Sequence, residues 1–314
     1  MRRAPVDGNK LKIGSRGSQL ALWQANHIKD RLTGQYPGLA VELKIIKTLG
    51  DKVQDVALAK VGGKGLFTKE IEEAILAGKV DLAVHSLKDL PTELPSGLIA
   101  GIITRRTHGS DALISRDNVP LKLLPAGSRV GTSSLRRKVQ LRDLRPDLHF
   151  LDLRGNVDTR LKKLDRGEYE AIVLAQAGLV RLGLESRITE LFTPRQMVPA
   201  AGQGALALEY REGDSRTAEL LGFLQDPDTA LEVEAERDFL HELGGGCQVP
   251  IGVRAVLKED GRLELEAMIS DLHGTRLMRD SLTNHPDKKP GKILAGRMLE
   301  AGGRAILEEI LGAE

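Results

Sequence analysis

Cysteine is almost absent from these 314 residues: Cys247 stands alone, in the stretch GGGCQVP at 244–250. A single thiol excludes an internal disulfide, and the flanking residues supply no partners for a cysteine-based zinc site. Aromatic residues make up 3% of the chain, which leaves few stacking platforms of the kind single-strand nucleic-acid binders use. No apolar run approaches the length that crosses a bilayer. The opening MRRAPVDGNKLKIG has two arginines with no apolar stretch behind them, so a cytoplasmic protein with no membrane partner is expected. Internal repeats and low-complexity segments are also missing. Gly62-Gly63-Lys64-Gly65 lacks the spacing of a P-loop, and no metal site is expected.

The length itself exceeds what one hydrophobic core serves, so two or three domains are expected. Net charge is only +2, but it is unevenly spread. From Arg129 to Arg166 eleven Lys or Arg face five Asp. With Phe150 the only aromatic there, that segment suits phosphate or carboxylate ligands better than nucleic acid.

Apolar periodicity alternates between two and 3.6 through the first two thirds. LKIGSR (11–16) reads as a strand, and Ser18 caps a helix whose face is Leu20, Ala21, Ala25, Ile28 and Leu32. VELKIIKTL (41–49) is a strand, Thr68 to Ala77 a helix stopped by Gly78, and VDLAVHSL (80–87) a strand. Strands near 98–105 and 111–116 follow. RVGTSS leads into a helix at Leu135, HFLDLRG into one at Val157 and AIVLAQAG into one at Leu179, while GALALEY (204–210) is a further strand. Repeated βα units imply parallel sheets. After Asp226 the pattern changes to a helix, a hairpin of PIGVRAVL and LELEAMI about Glu259-Asp260-Gly261, and a final helix from Gly291.

Three strand-to-helix junctions combine hydroxyl or glycine residues with arginine: Arg16-Gly17-Ser18, Gly131 to Arg137, and Arg154-Gly155-Asn156 with Arg160 a turn later. Helix N-termini at the carboxyl ends of parallel strands offer unpaired N–H groups. Each junction alone is an ordinary cap beside a solvated arginine; together they are expected to converge on a cleft that binds several carboxylates or phosphates. VHSLKDLP (84–91) differs, because it places Asp89 beside Lys88 directly after an apolar strand. A carboxylate there suits proton transfer or the stabilisation of a cationic intermediate, and equally a surface ion pair before a proline turn. The Cys247 thiol, between three glycines and Pro250, is read either as a packed residue or as an accessible nucleophile or covalent anchor. A solute-binding protein would account for the arginines but not for the thiol, and a nucleic-acid module for neither Asp89 nor Cys247.

These motifs, with KVGGKGLF (60–67), VLAQAGLVRLGL (173–184) and PAAGQGAL (199–206), resemble the porphobilinogen deaminase family from Leu11 to the last helix. The resemblance implies an α/β fold: two domains like type II periplasmic binding proteins with mixed, mostly parallel sheets, plus a small C-terminal α+β domain. The boundaries it implies are 1–104 with 205–223, then 105–204, then 224–314. It also implies a dipyrromethane cofactor in thioether linkage to Cys247. Four porphobilinogen molecules would be joined on it with loss of ammonia, and hydrolysis would release hydroxymethylbilane. Asp89 matches the catalytic carboxylate. Ser86, Lys88, Asp89, Thr132, Ser133, Ser134, Arg136, Arg137, Arg154 and Gly155 match cofactor-binding positions. Arg16, Ser18, Phe67, Arg154, Arg160, Arg181 and Gln203 match substrate-binding ones. The stretch 48–67 is expected to be a lid, with Lys60 or Lys64 near the carboxylates, and the protein is expected to be a monomer.

Overall fold

A computed structural model describes residues 10–52, 68–244 and 249–312. The chain divides into two compact units, Met1–Arg105 with Leu206–Asp226, and Arg106–Ala205 with Pro227–Glu314. In chain order the first stretch gives β1 (Lys10–Ser15), α1 (Gln19–Gln35), β2 (Ala40–Ile45), a single helical turn α2 (Leu49–Lys52), α3 (Lys69–Leu76), β3 (Leu82–Ser86) and β4 (Leu98–Ile103). The second contributes β5 (Asp111–Ser115), β6 (Arg129–Gly131), α4 (Leu135–Leu144), β7 (His149–Leu151), α5 (Val157–Asp165), β8 (Ala171–Ala175), α6 (Gln176–Arg181) and β9 (Glu190–Leu191). Then follow β10 (Leu206–Arg211), α7 (Ser215–Leu221), α8 (Pro227–Glu242), β11 (Ile251–Leu257), β12 (Leu263–Ser270), β13 (Leu277–Asn284), α9 (Pro290–Met298) and α10 (Arg304–Leu311).

The first unit is a five-stranded sheet in the order β2-β1-β3-β10-β4. Its two leading pairings, β2 with β1 and β1 with β3, are set by βα crossovers and are parallel, while β10 runs antiparallel to both β3 and β4. One strand of five is therefore reversed. The second unit repeats the pattern as β7-β6-β8-β5-β9, with β5 as its reversed strand. Strands buried on both faces need apolar side chains throughout. Leu82, Ala83 and Val84 of β3 and AIVLA of β8 meet this need, Leu82 and Val84 packing with Ile28 and Leu32 of α1 while Ala83 packs with Ile71 and Ile75 of α3. In the second unit Leu113 and Val173 face one core, and Ile114 and Leu174 another.

The three-stranded antiparallel sheet β11-β12-β13 has its own core, closed by α8 and α9 through Phe239, Leu265, Leu294 and Met298. The hairpin is as the sequence indicates, with Gly261 at φ +78 in its turn. The structure departs from the sequence reading in four places, the first being that the strand read over 41–49 ends at Ile45 and Leu49 opens α2. LMRDSLTN forms the third strand β13, whose exposed and half-buried residues alternate without an apolar period. The final helix is two helices, because Gly302 takes φ +117 in the π-type stretch Leu299–Gly303 and breaks the hydrogen-bond ladder. Helix α6 begins at Gln176, ahead of Leu179, since Ala175 ends β8 and caps the helix directly.

At Gly291 helices α9 and α8 approach closely: a Cβ there would stand 1.9 Å from the Ala235 carbonyl oxygen of α8. Gly291→Ala must push α8 and α9 apart and is expected to destabilise the protein by about 1–3 kcal/mol, as core overpacking does. A lowered Tm checks this, and an unchanged one contradicts the close approach.

Candidate active site

In the first unit the candidate groups sit at the carboxyl ends of β1 and β3. Ser18 caps α1, its Oγ accepting from Ala21 N at 3.3 Å, and half-buried Arg16 lies between β1 and this cap. Strand β3 ends at Ser86 and tightens into one 3₁₀ turn, Leu87–Asp89. Leu87 is buried and anchors the turn, Lys88 is half-buried, and the Asp89 carboxylate is exposed. A short apolar strand followed by a 3₁₀ turn thus delivers an acid to the surface on a fixed backbone.

Two buried contacts brace this strand end. Gln24 of α1, 3% exposed, donates through Nε2 to Ser86 Oγ at 2.7 Å. His85 Nε2 lies 2.8 Å from Glu209 Oε2 on β10, both side chains buried. Burial, with the neighbouring Glu209 carboxylate adding to it, pushes Glu72 of α3 above the usual carboxylate range. The periodicity of α1 conceals Gln24, a polar residue on a buried face. Glu209, inside the apolar run GALALEY, is the kind of misplaced acid that signals a buried partner.

The second unit carries the hydroxyl and guanidinium groups. Ser134 caps α4 by accepting from Arg137 N at 3.4 Å, and Thr132 Oγ1 accepts from Ser134 N at 3.3 Å. Ser133 Oγ donates to Leu153 O and accepts from Leu153 N, both at 3.0 Å, which ties this loop to the segment bearing Arg154. Gly155 has φ +107 and a Cβ there would meet Thr159, so only glycine fits. Its carbonyl accepts from Arg160 Nε at 2.8 Å.

Arg136 and Arg137 are buried, and both reach Asp111 at the start of β5. Gln203 reaches the same carboxylate, so three of the expected ligand positions meet on an acid that no motif contains. The other Gln203 amide atom, Oε1, is buried with no hydrogen-bond partner among the described residues. Arg181 of α6 donates through Nη2 to Gly204 O at 2.8 Å, and burial lowers its guanidinium from the ordinary value to about 10. Phe67, Lys60, Lys64 and Cys247 lie outside the described residues, as does 53–67 of the expected lid.

Among solved structures, the periplasmic VFT2 domain of Bordetella pertussis BvgS matches 68% of this chain and 86% of its own, at 15% identity and a TM-score of 0.41, too slight a likeness to carry an argument. Sequence relatives are much nearer. A porphobilinogen deaminase of Nitratidesulfovibrio vulgaris strain Miyazaki F is 51% identical over 310 residues, covering 97% of this chain and 98% of that protein. One from Syntrophobacter fumaroxidans is 50% identical over 305 residues, covering 96% and 98%. The family model described as porphobilinogen deaminase, dipyromethane cofactor binding domain, matches residues 11–219, and that of the C-terminal domain matches 230–300. On matches that span nearly its whole length, the chain belongs to the porphobilinogen deaminase family.

Proposed function

We propose that this chain joins four porphobilinogen molecules head to tail, each losing ammonia, and releases hydroxymethylbilane by hydrolysis. The observation that carries the reading is the set of buried guanidinium donors held together in the second unit. Arg136 and Arg137 both reach the carboxylate of Asp111, and burial lowers Arg181 to about 10. Guanidiniums fixed in this way present forked donors that suit carboxylates. Each pyrrole brings an acetate and a propionate, so a growing oligopyrrole supplies such anions in number.

The same donor set fits a dipyrromethane. Arg136, Arg137, Arg154, Thr132, Ser133, Ser134 and Lys88 suit its carboxylates, and on the substrate side Gln203, whose Oε1 has no partner among the described residues, offers an acceptor suited to an incoming pyrrole N–H. Held by Cys247, this group supplies a nucleophilic pyrrole carbon as the primer for chain growth. Arg16, Ser18, Arg160 and Arg181 bind incoming carboxylates, and Phe67 packs on the rings. Asp89, on its rigid turn, stabilises the cation formed when ammonia leaves and accepts the proton lost after carbon–carbon bond formation. Residues 224–314, whose sheet has its own core, form a third domain that carries Cys247. The enzyme acts as a cytoplasmic monomer.

Incubating the purified protein with porphobilinogen tests the reading. One ammonia released per pyrrole consumed, with accumulation of a linear tetrapyrrole, is the expected result; tight binding without ammonia release would make the chain a solute-binding protein instead.

A further inference from the structure

We infer that Asp111 is the positioning residue of the second unit: one buried carboxylate that aims Arg136, Arg137 and Gln203 together. This rests on the reading that these side chains take pyrrole carboxylates and N–H groups. Asp111 is fully buried at the start of β5. Consecutive helix positions diverge by about 100°, so Arg136 and Arg137 leave α4 in different directions. Both guanidiniums nonetheless turn back to Asp111: Arg136 Nη1 donates to Oδ2 at 2.7 Å and Arg137 Nε to Oδ1 at 2.9 Å. Gln203 Nε2 adds a third donor at 3.2 Å to Oδ1.

A backbone carbonyl fixes each arm a second time. Arg136 Nη1 also donates to Val198 O at 2.8 Å, Arg137 Nη1 to Val173 O at 2.9 Å, and Gln203 Nε2 to Gly109 O at 2.8 Å. The direction of each side chain is thereby set before any ligand arrives, which is what lets binding proceed without ordering costs. The Asp111 carboxylate bonds to both guanidiniums and so orients them together.

The test replaces Asp111 and follows two readouts, kcat and KM for porphobilinogen and the fraction of molecules that carry a pyrrole adduct by intact mass. Asp111→Asn removes the charge and turns one oxygen into a donor facing a guanidinium. The adduct-bearing fraction should fall and KM should rise about 10- to 100-fold with a smaller change in kcat, the range for misaligned charge-assisted hydrogen bonds. Combined with Arg136→Lys, the loss in kcat/KM should be no greater than that of the worse single variant, because both break one arrangement. Multiplying losses, or a KM within about twofold of the parent alongside a lowered Tm, would reduce Asp111 to a structural residue and overturn the inference. If Asp111→Asn does not fold, Asp111→Glu keeps the charge and shifts the carboxylate by one methylene. A raised KM is then expected, and an unchanged one is fatal to the idea. A parent protein that bears no adduct and releases no ammonia would sink the functional reading instead.

Discussion

Cys247→Ala is expected to yield a protein whose intact mass equals that of its amino acids and which turns over no porphobilinogen, whereas the parent exceeds its sequence mass by two pyrrole units. Thioether formation needs a soft, accessible sulfur, and the sequence sets Cys247 among Gly244, Gly245, Gly246 and Pro250, residue types disfavoured in helix and strand interiors. No second thiol exists to replace it. A further consequence follows from charge. Burial disfavours the protonated Arg181 at neutral pH, since its folded value lies near 10, below that of the free side chain. Losing a covalently held anion leaves that cost without relief. The adduct-free variant should therefore melt at a lower temperature than the parent, and added sulfate should narrow the gap. An adduct that persists in Cys247→Ala would place the primer elsewhere and remove the role given to the glycine loop.

Much of the fold is legible in the sequence because its elements are locally determined. Ser18 and Ser134 cap the helices their positions suggest, Gly78 ends α3 with φ +65, and GALALEY forms β10 of the first sheet. Strand β13 escapes notice because its pairing with β12, and no apolar period of its own, holds it in place. The break at Gly302 is hidden inside a run with helical spacing on either side. In the site, the sequence displays the donors and conceals what aims them. Asp111 is 25 residues from Arg136 and 92 from Gln203. Gln24 is 62 from Ser86, and His85 is 124 from Glu209. Acceptors that distant are found only once strand order is known.

Asp89→Asn is the sharpest test of the chemistry, because it changes charge and almost nothing else. The turn that carries Asp89 is held by buried Leu87, by Leu90 N donating to Leu87 O at 3.1 Å, and by the Gln24 contact to Ser86. None of these involves the Asp89 carboxylate, so asparagine should occupy the same place. The exposed carboxylate gains most when a bound oligopyrrole displaces water and a cation forms beside it. Opposite unit charges about 4 Å apart at an effective dielectric near 20 then favour the transition state by roughly a thousandfold in rate. The variant should keep its adduct mass and much of its KM while kcat falls by about that factor, an effect confined to the step in which charge develops. Asp89→Glu, which retains the charge on a longer arm, should fall between the two. Should the asparagine variant keep more than a few per cent of parental kcat with its adduct in place, the cation must be stabilised by another group, and the end of β3 would be a binding edge only.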